Sequence, residues 1–344
     1  MQGHHLREIA GKRVVVVGPN SRDDFAWEIT KALQQLGASS HGIGSTVSLR
    51  PGGHDRLSAT TRSFLSLAYR TRQFGDWVDK RLLERILRQG PDLVITVESL
   101  RPLVVERIRA AGIPVVLWFP DHVANIAASW MFSAPYTAVF FKEPWLVRRC
   151  RELLDLPVYL LHEACLPSDH YPVDGPALSS VCVVGNLYPT RLRLLERLHA
   201  DGVPLALYGP KIADERGQAL LRACHTGRYL RGVDKSQIFR NSIAVLNNLH
   251  PAEIEGVNKR LFEATAAGGS VITEDRTSLA SLYDKNSEVI AFSTYDELRD
   301  AIALVQDDKS AFRQMGLRAS KRAMRDHSYA RRLEELLSKI EEAW

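Results

Sequence analysis

The sequence predicts an α/β protein built from two similar halves, each a parallel sheet covered by helices on both faces. Three observations carry that expectation. Short, β-branched apolar runs alternate with helix-patterned segments, as strands buried on both faces do. The alternation breaks at a proline-rich stretch near the middle and then restarts. The chain has 344 residues, 45% hydrophobic and 25% charged, enough for two domains that each bury a core.

Taken in order, "KRVVVVG" at 12–18 reads as a strand and "DDFAWEITKALQQLG" at 23–37 as the helix after it. Phe25, Ile29, Leu33 and Leu36 recur on one face of that helix, and Gly37 closes it. "PDLVITVE" (91–98) is a strand, "RPLVVERIRAAG" (101–112) a helix, and "IPVVLWFPD" (113–121) and "YTAVFFK" (136–142) are strands. Residues 157–180 hold four prolines and few helix signals, and read as a connection. The second half has strands "SVCVVGN" (180–186), "VPLALYG" (203–209), "SIAVLNN" (242–248) and "GSVITED" (269–275). A helix over 189–202 starts at Pro189, suited to a first turn. Further helices are expected over 277–283, 295–306, 309–325 and 328–342. The expected division is an N-terminal domain over 1–160, a linker over 161–178, a second domain over 179–326 and a terminal helix over 327–344. Residues 45–75 fit neither half: Arg50, Arg56, Arg62, Arg70 and Arg72 face Asp55 alone among acids, as in a solvated loop and helix or a contact for an anionic partner.

Composition narrows the function classes. No apolar run approaches the roughly 18 residues of a membrane span. The N-terminus lacks the apolar core of a signal peptide. Cys150, Cys165, Cys182 and Cys224 form no C-x-x-C pair, which argues against a zinc site or disulfide framework and for a reducing cytoplasm. A net charge of +5 permits acidic ligands without demanding them. A dehydrogenase would want G-x-G-x-x-G after the first strand, where this chain has "VGPNSRDD".

Two stretches carry chemistry. In "VVGNLYPTR" (183–191) a strand ends at Gly185, which lets the backbone turn sharply or approach a ligand closely. The following helix N-terminus suits phosphate, with Arg191 in its first turn; a tight turn with an exposed arginine is the alternative. In "EGVNKRLFEATAAGG" (255–269), Asn258 can cap a helix that Gly268–Gly269 ends. Gly256 lets backbone N–H groups approach a sugar or phosphate, Lys259 and Arg260 sit where a diphosphate needs positive charge, and a carboxylate accepts from sugar hydroxyls. A capped amphipathic helix with surface charges is the alternative.

These stretches, with "GVPLALYGP", "YLRGVDKSQIFRNSIAVLNN" and the terminal "HSYARRLEELL", resemble the glycosyltransferase group-1-like domain of CgeB (spore-maturation) type proteins over roughly 165 residues. "YLLHEACLPSDHYP" resembles their crossover segment, and the first half resembles their N-terminal domain less specifically. The resemblance implies a GT-B fold, two Rossmann-like domains facing across a cleft, with a nucleoside-diphosphate-sugar donor mainly on the second. It implies that Glu263 accepts from the ribose hydroxyls, and that Glu255 and the backbone of Gly256, Val257 and Asn258 face the sugar. Lys259, Arg260 and Arg191 become candidates for the diphosphate, Gly232 and Val233 of "RGVD" for the base pocket, and Gly185, Asn186 and Tyr208 complete the donor set. The spacing of the two glutamates leans towards retention of anomeric configuration.

No D-x-D sequence offers to hold a divalent metal, so metal-independent transfer without a cofactor is expected. Asp121 and His122 of "WFPDH" end a strand and are candidates for the base an inverting enzyme needs; a helix cap and a surface histidine are the alternative. Glu98 is a second candidate, His162 lies in the connection, and Gly18, Asn20 and Ser21 end the first strand. The acceptor is open: protein, glycan, lipid, small molecule or nucleic acid. An epimerase or hydrolase acting on the same donor, or a binding protein that kept the fold, remains the competing reading.

Overall fold

In a computed structural model, residues 9–44, 71–123, 130–210 and 217–343 are described. The chain divides into two units, one of residues 1–162 with 329–344, the other of 163–328. Most of the basic segment 45–75 lies outside the described residues.

In the first unit, six strands form one parallel sheet: β1 (Arg13–Val17), β2 (Ser39–Ile43), β3 (Leu93–Thr96), β4 (Val115–Phe119), β5 (Ala138–Phe141) and β6 (Val158–Leu160), in the order β2-β1-β3-β4-β5-β6. Val14, Val15, Val16 and Val17 are all buried because helices cover both faces. The helices are α1 (Phe25–Gln35), α2 (Arg72–Arg88), α3 (Pro102–Ala110) and α4 (Pro144–Leu154). Pro102 and Pro144 open the last two, where a missing N–H costs nothing. Strand β6 corrects the reading of residues 157–180 as connection only: "VYL" is too short to show a period, and its pairing with β5 makes it a strand.

The second unit repeats the plan with β7 (Val181–Val184), β8 (Leu205–Tyr208), β9 (Ala244–Asn247), β10 (Val271–Glu274) and β11 (Ile290–Phe292), ordered β8-β7-β9-β10-β11 and parallel throughout. Its helices are α5 (Pro189–Ala200), α6 (Gln218–Cys224), α7 (Gly232–Asn241), α8 (Lys259–Ala266), α9 (Leu279–Leu282), α10 (Tyr295–Asp307) and α11 (Lys309–Asp326). Val181 and Val183 pack into one apolar cluster and Cys182 and Val184 into another, so β7 divides two cores.

Helix α12 (Tyr329–Ala343) belongs to the first unit. Tyr329 packs on Phe25 and Trp118, and its hydroxyl donates to Glu28 Oε2 at 2.6 Å.

Each sheet places its first strand between its second and third. Strand order therefore reverses at β1/β3 and at β7/β9, and in such sheets ligands bind beyond the carboxyl ends of the strands at that reversal.

Candidate functional site

At the second reversal the strands separate. β7 stays paired with β8 as far as Val184–Tyr208, but pairs with β9 only as far as Cys182–Val245. Gly185 follows at φ +113°, its N–H bonded to the carbonyl of Tyr208 at 2.8 Å. Its conformation and its surroundings both require glycine, because a Cβ there would strike the guanidinium of Arg260. Gly209, at φ +148°, ends β8 against the carbonyl of Gly185 in the same way.

Two arginines meet at this split, and the structure gives them different tasks. Arg191 is 3% exposed and fully engaged. Its Nε and Nη2 donate to the side chain and carbonyl of Asn248 at 2.8 and 2.6 Å, Nη1 donates to the carbonyl of Asn186 at 2.9 Å, and Tyr188 lies under its plane. Burial first, then repulsion from Arg260, lowers its pKa to about 10, so it stays charged at neutral pH. The sequence expects Arg191 at the diphosphate; its donors instead join α5 to the end of β9. Arg260, in the first turn of α8, has no hydrogen-bond partner among the described residues, and its buried Nε lacks an acceptor. A charged, partly buried group without an acceptor calls for an anion.

Helix α8 begins where expected. Asn258 accepts from the N–H of Leu261 at 3.3 Å, and Gly268 ends the helix at φ +73°. Glu263 lies on its inner face, 1% exposed. The ammonium groups of Lys235 and Lys259 approach its Oε1 at 3.0 and 3.1 Å, and His170 Nε2 stands 3.8 Å from the same oxygen. Burial acts to raise the pKa of Glu263; Lys235, Lys259, His170 and Arg260 outweigh it and hold the carboxyl well below its usual range. Around Glu263 the lysines and Arg260 outnumber the carboxylate, which leaves positive charge for an anionic ligand.

Residues 191–338 match the family described as glycosyl transferase-like. The whole chain has the GT-B fold. It resembles sucrose-phosphate synthase from Thermosynechococcus elongatus at a TM-score of 0.66 and 13% identity, covering 97% of this chain and 100% of that one. It resembles HepE of Anabaena, solved with UDP and glucose, at 0.66 and 11%, covering 96% and 100%. A glycosyltransferase from Rickettsia africae matches at 0.61 and 13%, covering 97% and 98%. No curated protein sequence matches the chain.

Within residues 191–338 and the strand that leads into them, the other expected donor residues divide. Gly256 is buried and Glu255 half-buried in the loop before α8, where the Glu255 carbonyl accepts from the N–H of Ser278. Gly232 begins α7 at φ +49°, with Val233 half-buried beside it. Asn186 is exposed just past Gly185. Tyr208 and Val257 are buried and pack into the core of the second unit. The loop over 250–256 also borders an open cleft of about 610 Å³ lined by Glu253, Ile254, Asp275, Arg276 and Lys285. That cleft has no spare guanidinium: Arg276 donates to the carbonyls of Glu253 and Asp275 and to Glu274.

In the first unit, Asp121 and His122 follow β4. Asp121 Oδ1 accepts from the His122 N–H at 3.0 Å and lies 3.8 Å from its Nε2. Glu98 follows β3 and is half-buried, its carbonyl accepting from Thr96. Gly18 ends β1 against Val97, Asn20 packs over Gly42, and the N–H of Ser21 donates to Asp24. His162, just past β6, is buried. Lys235, His170 and Asn248 escaped the sequence reading. Lys235 carried a faint signal, since it shares a helix face with Ile238 and Phe239, where a lysine needs a buried partner.

Proposed function

We propose that this protein transfers a sugar from a nucleoside-diphosphate-sugar, the diphosphate lying against Arg260 where β7 and β9 separate. The observation that carries this is Arg260: a guanidinium without a hydrogen-bond partner among the described residues, held against a glycine turn at the strand-order reversal. As the glycosidic bond breaks, negative charge grows on the leaving diphosphate, and fixed cations stabilise it there. Arg260 and Lys259 supply that charge, so the reaction runs without a divalent metal. Glu263 accepts from the ribose, Glu255 and the Gly256–Asn258 backbone face the sugar, and Gly232 and Val233 border the base. The HepE structures hold UDP, UDP with glucose, and UDP-glucose, which makes uracil the first base to test.

Retention follows as a proposal from the pair of glutamates, and NMR of the product's anomeric proton tests it. Should the product be inverted, Asp121 and His122 are the groups to examine as base. We place the protein in the cytoplasm on its four free, buried cysteines. No described helix is long and apolar enough to cross a membrane. The CgeB type, within the broader class, rests on the resemblance of "EGVNKRLFEATAAGG" and its companions.

The test is calorimetry with UDP, GDP, TDP, ADP and CMP in the presence of a chelator. One nucleoside diphosphate should bind, and Glu263→Gln should weaken it. No binding across the panel would reject the reading. Binding that survives Glu263→Gln unchanged would remove Glu263 from the ribose. Donor breakdown without any acceptor would favour a hydrolase or epimerase over a transferase.

A further inference from the structure

Lys235 and His170 lie outside every residue that the donor reading uses, yet both converge on Glu263. The convergence is one-sided. Lys235 Nζ donates to Oε1 at 3.0 Å, Lys259 Nζ lies 3.1 Å from Oε1, and His170 Nε2 lies 3.8 Å from Oε1. Oε2 of Glu263 takes part in none of these contacts. The three groups come from different places: Lys259 from the first turn of α8 itself, Lys235 from α7, and His170 from the segment that enters the second unit.

The geometry around each partner is constrained. His170 is completely buried, and its Nδ1 accepts from the N–H of Leu166 at 3.1 Å. That bond places the proton of a neutral imidazole on Nε2, the nitrogen nearer Glu263. At 3.8 Å the contact is too long for a hydrogen bond, so the ring acts on Oε1 through its dipole and its bulk. The Lys235 side chain is 5% exposed, and an ammonium that deep needs a carboxylate partner. Next to it, the Ser236 hydroxyl donates to the carbonyl of Asp169 at 2.9 Å, so the segments bearing Lys235 and His170 are joined one residue from each. Pro172 packs against Gly268 at the end of α8, which holds the same segment to the helix that carries Glu263.

We propose that Lys235 and His170 are positioning residues, which pin Oε1 of Glu263 so that Oε2 is left as a fixed, ionised acceptor for a ribose hydroxyl. The inference rests on the donor reading above and deepens it. An ionised carboxylate only accepts, and a ribose hydroxyl donates. With Oε1 held from three sides the carboxylate cannot rotate, and the discrimination between ribose and deoxyribose depends on that orientation as well as on Glu263 being present. A pair that served folding alone would leave this discrimination unchanged.

The experiment compares UDP with 2′-deoxy-UDP (or the same pair on whichever base the panel selects) by calorimetry on the full chain. Wild type should prefer the ribonucleotide by about tenfold, the ratio expected of one hydrogen bond to a charged acceptor. Lys235→Met should bring the ratio to within about threefold of unity by weakening the ribonucleotide, while affinity for the deoxy form stays within about twofold of wild type. Glu263→Gln supplies the floor of the ratio. His170→Asn, whose amide oxygen can still accept from Leu166, should reduce the ratio in the same direction, and it carries the test if Lys235→Met does not fold. A wild type that discriminates, with a ratio unchanged in whichever of these two variants folds, would overturn the positioning role and leave the donor reading standing. So would equal weakening of both ligands. A wild type that binds neither ligand would overturn the donor reading and this inference with it; one that binds both alike would remove Glu263 from the 2′-hydroxyl and overturn this inference alone.

Discussion

At the scale of single residues, Arg191 and Arg260 show why a charge read from sequence does not declare its task. Both arginines belong to first turns of helices, and both approach the end of β7. Arg191→Met should lower stability by about 3 kcal/mol, because it removes three charged hydrogen bonds inside the fold; urea unfolding measures this. Arg260→Met should leave the urea midpoint nearly unchanged yet weaken nucleoside diphosphate binding by about 10–100-fold, the cost of one or two charge-assisted bonds. Glu263 adds a pH dependence. Its folded pKa lies below the ordinary 4.5, so the unfolded chain takes up its proton first as pH falls. The stability it contributes is complete above the unfolded pKa and is lost as pH drops through the folded one. Melting temperature should therefore fall on acidification into and below that window, and more steeply in wild type than in Glu263→Gln.

At the scale of elements, the helix and the turn that build the candidate site were legible because their signals are local. Asn258, the buried stripe of Leu261, Phe262 and Thr265, and Gly268 mark a start, a buried face and a stop within eleven residues. Asn258→Ala should lower stability by about 1 kcal/mol through the lost cap. It should also loosen the first turn that carries Lys259 and Arg260, so nucleotide affinity should fall with it in the same titration series. Gly185→Ala tests the turn: it combines a strained φ with a collision against Arg260, and should reduce ligand binding more than the cap variant does. Elements without a local signal were missed. β2 mixes polar residues into "SSHGI" as an edge strand, and β6 and β11 are three residues each, too short for a period to show. Helices α6 and α7 were missed as well; Arg240 and Asn241 are buried on α7 through bonds to Asp174, Gly268 and Val173, which blurs its polar face.

At the scale of the whole molecule, the chain completes one unit with its last helix after building the other. Tyr329, Leu333, Leu336 and Ile340 of α12 are buried, and Tyr329 donates to Glu28, which is itself buried. Tyr329→Phe keeps the ring against Phe25 and Trp118 but removes that donor, and should lower stability by about 1–3 kcal/mol. Following unfolding by tryptophan fluorescence reads the first unit through Trp118. An unchanged midpoint would mean that the hydroxyl contributes nothing to holding α12.

By itself the sequence determined the alternation of strand and helix, the repeat of one plan in two halves, and the capped helix that carries Glu263. Each follows from spacing over a few residues, which reports the side on which a segment is buried. Only the tertiary structure decided which partners those buried groups have. Lys235 reaches Glu263 across 28 residues of sequence, Arg191 reaches Asn248 across 57, and Gly185 makes room for a guanidinium far along the chain. A side chain's period encodes its face, while the partner it meets there depends on strand order and helix packing, which no local spacing records.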